Sequence, residues 1–284
     1  MKKKLLSIFT VICTLFCLCS CGNDRTPSKG LEFELNEDES SYTLLSYGDC
    51  KDSSVVIPEE YKGLPVTAIG SYAFKKSGVT EVIIPESVTQ IAYDAFENCP
   101  KLSYNVYDGG KYLGSDENPY LILIDITENA KSIFKTHKDT KVIAECALWD
   151  ASTERVALGG SVTHIGNAAF YGCGRLETVV LPDSLVSISS EVFGNCKSLT
   201  ELAIPEGVAV IEDETFAFCS ALTSLTLPKT VEKIGYSVIS NCEVLRDIYF
   251  EGTAAEWLAI EKDEQWDAFT ANYTVHCSDE DIKK

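Results

Sequence analysis

The chain has 284 residues, of which 45% are hydrophobic, and a formal net charge of −19. The hydrophobic share excludes a chain disordered throughout. The acidity excludes nucleic-acid binding by counterion release, which needs a basic stripe, and disfavours direct docking on anionic lipid.

The first element is an export signal over residues 1–20. Lys2, Lys3 and Lys4 form a positive head, and Leu5 to Leu18 is an apolar run too short to span a bilayer comfortably. The sequence Leu18-Cys19-Ser20-Cys21-Gly22 resembles a bacterial lipoprotein signal, with Leu three residues before a Cys and a small residue just before it. That resemblance implies cleavage before Cys21 and lipid on its sulfur and amine, and several acyl chains give stable anchoring. An ordinary cleaved signal with Cys residues in an apolar run is the alternative. Residues 21–30 then read as the lipidated Cys and a polar tether containing Pro27 and Gly30. Residues 31–54 read as an N-terminal cap, with Leu31 to Leu35 and Tyr42 to Leu45 as a hairpin over the first rung.

Residues 55–250 repeat. Pro182, Pro205 and Pro228 share one spacing with Ile165, Ile188, Ile211 and Ile234, with Phe170, Phe193 and Phe216, and with Cys173, Cys196, Cys219 and Cys242. The pattern recurs upstream at Pro85, Ile91, Phe96 and Cys99, in stretched form at Pro58, Ile69 and Phe74, and in degenerate form at Ile143 and Leu148. Within a unit, Leu176, Val179 and Leu181 form a short strand with apolar residues turned inward. Pro182 has no N–H for a ladder and ends it. Leu185 and Ile188 point inward on the return, and Phe193 and Cys196 share one face of a short helical turn. A single unit cannot bury its apolar face, so neighbours stack into one core. Matching slots to the period counts about nine rungs, a stack on the order of 40 Å at strand spacing. The fold class expected is an α+β repeat solenoid with terminal caps.

Residues 103–131 break the period. Two apolar runs flank Gly114 to Pro119, a hairpin signal, and the hairpin is expected to project from one edge. Ser132 to Thr136 resumes the strand slot, with His137 in the place of Pro. Residues 251–284 form a C-terminal cap, with a turn and helix that bring Trp257, Leu258 and Ile260 over the last rung and a final strand from Tyr273 to Cys277.

The unit Cys-x-x-Leu-x-x-Leu/Val-x-Ile/Leu-Pro-x-x-Val-x-x-Ile-x-x-x-x-Phe resembles the BspA-type leucine-rich repeats of bacterial surface proteins. The likeness runs from about Val55 to Phe250, and the segments KYLGSDENPYLILI and EGTAAEWLAI also resemble parts of that family. It implies a curved solenoid on the outer face of a bacterial cell membrane, with roles in adhesion or protein recognition and no enzymatic activity. The Asn ladder of better-known leucine-rich repeats is missing, since Ser184, Gly207 and Thr230 occupy nearby positions.

Candidate chemistry is sparse. The Cys column places equivalents roughly 4.8 Å apart, and parallel side chains keep Cβ atoms wider than the roughly 3.8 Å of a bridge, so buried free thiols are favoured over disulfides. A metal ladder needs converging ligands, and one Cys per rung lines up instead. His137, His164 and His276 lie far apart and match no catalytic motif, and no P-loop, nucleophile elbow or dinucleotide fingerprint occurs. The clusters Glu37-Asp38-Glu39 and Asp279-Glu280-Asp281 read as solvated acidic ends. No catalytic residue, metal site or cofactor is expected.

Strand alternation turns one set of side chains outward: Glu81 and Ile83, Thr178 and Val180, Glu201 and Ala203, Ser224 and Thr226, Asp247 and Tyr249. This strip suits a flat contact with a protein or extended polymer, or is merely the outer face of a sheet. Tyr107, Tyr112 and Tyr120 in the insertion could anchor a protein or stack on a sugar, and could equally pack against the solenoid. The expectation is a lipid-anchored surface module for protein recognition or adhesion. The alternative is glycan capture through the tyrosines, which predicts lost binding in Tyr112→Ala or Tyr120→Ala. The membrane is reached through the lipid anchor only, and nucleic acid is not a partner.

Overall fold

The computed structural model describes residues 25–284 except 129 and 271. The export signal and Cys21 lie outside the described residues. The chain winds into a β-solenoid of about ten turns. Each turn contributes to three sides. The first is a short strand in a parallel ladder: Arg155–Ala157 pairs Thr178–Val180, and in a second ladder beyond it Glu201–Ala203, Ser224–Leu227, Asp247–Phe250 and Thr274–His276 pair in register. The second is a two-residue strand carrying the Ile column, with Ile143, Ile165 and Ile188 aligned. The third holds the Phe and Cys columns.

That third side is built from turns, and the helical turn expected there does not form. Glu191 and Asn195 both take left-handed backbone (φ 60°), with Phe193 between them. The amides of Glu191, Phe193 and Asn195 donate to the carbonyls of Asp213, Thr215 and Ala217 at 2.9, 2.9 and 2.8 Å. Left-handed backbone is costly for a residue with a side chain, and it persists because each turn is bonded to the next. Among the described residues, the only α-helix is Ala254–Ala259 in the last turn, started by a capping box of Thr253 and Glu256.

The Phe and Cys columns form one continuous core. Phe170, Phe193 and Phe216 stack at 5.4 and 5.8 Å with nearly parallel rings. Each Cys thiol donates to a carbonyl of the preceding rung: Cys196 to Phe170, Cys219 to Phe193 and Cys242 to Phe216, at 3.0 to 3.2 Å. Cys at this slot is therefore a small apolar filler that also satisfies a buried carbonyl. All eight cysteines of the described residues are free. Burial pushes the Cys173 and Cys242 thiols up to about 12, which leaves almost no thiolate near neutral pH. A thiol reagent without reductant should leave the column untouched in folded protein and modify it on unfolding. Column residues that stay unreactive in denaturant would mean disulfides and sink this reading.

The insertion does not project. The strand Ile122–Ile126 enters the second sheet, pairing in parallel with Val142–Ile143 and antiparallel with Gly110–Leu113, which pairs in turn with Asn105–Tyr107. At the turn Gly114 bridges Ile83, and Ile84 donates to its carbonyl at 3.0 Å, which stitches the insertion into the first side as well. A Cβ on Gly114 would lie 2.0 Å from the Asn118 carbonyl oxygen, so only glycine closes this turn. Tyr112, Leu113, Leu121, Ile122 and Leu123 are buried. Two apolar runs this dense are too costly to hold in solvent and instead fill the place of a rung.

At the ends, Glu32–Leu35 and Tyr42–Ser46 form an antiparallel pair whose second strand runs parallel to Leu64–Ile69. Asp281–Lys283 closes the far edge antiparallel to Thr274–His276. Both devices cover strand edges that would otherwise recruit other chains.

Candidate binding face

Because these two ladders of the first side are each parallel and in register, their outward side chains line up in columns. Arg155 aligns with Thr178, and Glu201 with Ser224, Asp247 and Thr274. Beside them Ala157 aligns with Val180, and Ala203 with Thr226, Tyr249 and His276. The middle residues Val179, Leu202, Leu225 and Ile248 are buried, so the flanking positions face out. Val180 is 64% exposed and Tyr249 46%, large apolar side chains left in water on an ordered sheet. Thr178, Val180, Glu201, Ala203, Thr226 and Tyr249 line a shallow groove of about 460 Å³.

The face changes character along its length. Lys135 and Arg155 make one end basic, the middle is small and apolar, and Asp247, Tyr249 and His276 make the other end aromatic and acidic. At that end His276 Nε2 lies 2.8 Å from Asp247 and Nδ1 3.0 Å from Asp281, while Tyr249 stacks on the ring at 5.0 Å. The hydrogen bond to Asp247, reinforced by Asp281, raises the imidazole pKa above its ordinary value. A raised folded value contributes stability that is full below the unfolded pKa, about 6.5, and is lost as pH rises through the folded one. The amides of Thr274 to His276 should therefore exchange faster at alkaline pH than the intrinsic rate change explains. Exchange that tracks the intrinsic rate alone would deny the link.

Glu81 and Ile83 do not join this groove. The insertion separates their strand from Ile133–Lys135, and Glu81 is held by Arg25 at 3.1 Å and by Ser54. The tyrosines also part company. Tyr112 is fully buried, with its hydroxyl accepting from the His137 amide at 3.3 Å, so it is a core residue and no stacking platform. Tyr120 is half-buried and stacks on His137 at 4.0 Å, and Tyr107, 41% exposed, meets the His137 ring edge-on at 4.9 Å. His276, which the sequence places in the final strand, is missing from the outward set read from the repeat because the helix lengthens the last turn and moves it off the repeat spacing. Arg155 and Ala157 were legible in principle from the Val156 slot.

Comparison with known proteins matches the BspA type leucine rich repeat region in six copies, over residues 46–116 and 141–257. The chain is similar to the crystal structure of a leucine rich cell surface protein from Faecalibacterium prausnitzii A2-165, with 30% identity and a TM-score of 0.55, covering 74% of this chain and 62% of that one. It thus spans less than two thirds of that relative. The pneumococcal vaccine antigen PcpA shares the fold at 17% identity and a TM-score of 0.50, covering 85% of this chain and 82% of that one. A search of curated proteins finds no match.

Proposed function

We propose a binding role from one premise: the chain belongs to the BspA type leucine rich repeat family, whose region covers more than half of it. The reading is a module held on the outer face of a bacterial membrane by lipid on Cys21, which binds a partner protein along the outward columns from Arg155 to His276. The observation that carries it is the groove: exposed Val180 and Tyr249 on two neighbouring parallel ladders, between a basic and an acidic end. Rigid apolar anchors inside a polar surround are what protein interfaces use for affinity, while flanking charges set orientation. The Faecalibacterium relative is a cell surface protein, which supports the location.

The test is a binding screen against extracellular-matrix proteins, bacterial surface proteins and polysaccharides, followed by variants. Val180→Asp and Glu201→Lys should each weaken a protein hit by about tenfold or more without changing the unfolding midpoint, since both positions are exposed. A saturable protein hit that both variants leave intact would remove the groove from consideration. The glycan alternative now rests on Tyr107 and Tyr120 and predicts loss in Tyr107→Ala. For the anchor, Cys21→Ala should abolish incorporation of labelled fatty acid; unchanged labelling would refute lipidation at Cys21.

A further inference from the structure

Among the described residues, the third side of the solenoid is interrupted between the turn after Ile91 and the turn after Ile143. The turn after Ile69 is bonded to the next, with Phe74 and Lys76 donating to Ala95 and Glu97 at 2.8 and 3.0 Å. The turn after Ile143 is likewise bonded onward through Cys146, Leu148 and Asp150. Between these two turns the ladder stops. Among the described residues, no backbone bond runs from Asp94, Phe96 or Asn98 to the turn Cys146 to Asp150. The insertion has entered the stack here, and the gap it leaves is a cleft of about 510 Å³.

The turn above the cleft is built differently from its equivalents. Tyr72, Cys146, Ala168, Glu191, Glu214 and Ser237 occupy one slot and all take left-handed backbone; Asp94 holds the same slot and does not. Asp94 lines the cleft, is 7% exposed, and its Oδ1 is buried with no hydrogen-bond partner. A buried carboxylate oxygen without a partner is expensive, and it marks a place where a donor belongs. Four carboxylates line the cleft, and two are already answered: Glu97 by Lys75 at 2.7 Å and Asp125 by Lys111 at 2.6 Å. Glu145 accepts from neutral groups, the Asn167 amide at 3.0 Å and the Tyr93 backbone, and among the described residues Asp94 is in no ion pair, Lys75 acting on it only through space. The mouth also presents Tyr93, 68% exposed. At the same rim Lys75 already lies over the neighbouring Tyr72 ring at 3.8 Å while pairing with Glu97. This ring-and-carboxylate arrangement accepts an organic cation, and it does so within this chain.

We propose that the cleft binds a guanidinium or primary ammonium group, with Asp94 supplying the counter-charge and Tyr93 the aromatic wall. Carboxylate and aromatic face together favour a soft, partly desolvated cation over a metal ion. No three metal-binding side chains converge among the described residues, which points the same way. The source is either a free amine or a basic side chain presented by a protein, and the two share this chemistry. The site lies on a different side of the solenoid from the outward columns and does not depend on them.

The test is calorimetric titration of the full chain with agmatine, with an arginine-centred glycine pentapeptide, with its citrulline counterpart and with calcium chloride. Saturable binding of agmatine or of the arginine peptide, but not of the citrulline peptide, supports the site. Tighter binding of the peptide identifies a protein side chain as the source; tighter binding of agmatine identifies a free amine. Asp94→Asn should weaken that binding by at least about tenfold. Tyr93→Ala, at an exposed position that folding does not need, should weaken it by about two- to tenfold. Glu201→Lys should leave it unchanged. No saturation at millimolar concentration, equal binding of citrulline, binding of calcium alone, or full affinity in both cleft variants would each overturn the proposal.

Discussion

Phe193→Ala should lower the stability of the folded chain by about 3–5 kcal/mol. The ring is fully buried and sandwiched between Phe170 and Phe216, so its removal empties the centre of a stack that neither neighbour can collapse to fill. The loss has a built-in comparison. Phe96 stacks on Phe74 at 5.2 Å but is 9% exposed beside the interrupted ladder, with no second ring contact among the described residues. Phe96→Ala should therefore cost clearly less. Phe193→Leu should recover much of the loss, since the sequence itself uses Ile239 in this slot. Denaturant unfolding followed by tryptophan fluorescence reports the result, with Trp149 in the middle of the stack and Trp257 and Trp266 at its end. Solenoid stability is a sum over rungs and interfaces, so the two reporter regions should separate if the weakened rung uncouples them. Equal losses at Phe193 and Phe96 would mean that the column is not the continuous core that the stacked rings describe.

The stack was legible because a solenoid writes its geometry into one dimension. A residue that must face the core on every turn recurs at one spacing, so Pro182, Ile188, Phe193 and Cys196 announce a rung before any contact is known. Alternation then assigns Thr178 and Val180 to the outside without ambiguity. The turn conformation was not legible. Phe193 and Cys196 are three apart in a helical turn and in a bonded β-turn alike, and only the left-handed backbone at Glu191 and Asn195 separates the two. The outward face was half legible: its members point outward where the spacing held, and His276 was left out of the set where the terminal helix shifted it. Glu81 was misplaced for another reason. The insertion that isolates it pairs through backbone groups, and backbone pairing leaves no residue-type signature. The cleft at Asp94 was invisible for the same reason, because it exists only where two ladders fail to meet.

The largest consequence of that misplacement concerns the insertion. Tyr112→Ala is expected to destabilise the protein by about 3–5 kcal/mol. Tyr112 is fully buried and packs edge-to-face on Tyr120 at 5.6 Å, while Tyr120 stacks on His137 and Tyr107 closes the cluster. Gly110 is shaped to this ring: a Cβ there would lie 2.7 Å from the tyrosine edge. Burial also pushes the phenol up to about 12, so the hydroxyl stays protonated and neutral through the physiological range. Tyr112→Phe keeps the packing and loses only the acceptor for the His137 amide, which should cost about 1 kcal/mol. The pair of variants separates structure from recognition. If Tyr112→Ala abolishes attachment to a polysaccharide while Tyr112→Phe preserves both attachment and amide protection in Ile122–Ile126, the loss reports a collapsed insertion. Tyr107→Ala then becomes the informative substitution, because that ring is exposed and its removal leaves the buried rung standing. A Tyr112→Ala protein as stable as the parent would contradict the burial described here and would return Tyr112 to the surface as a candidate contact.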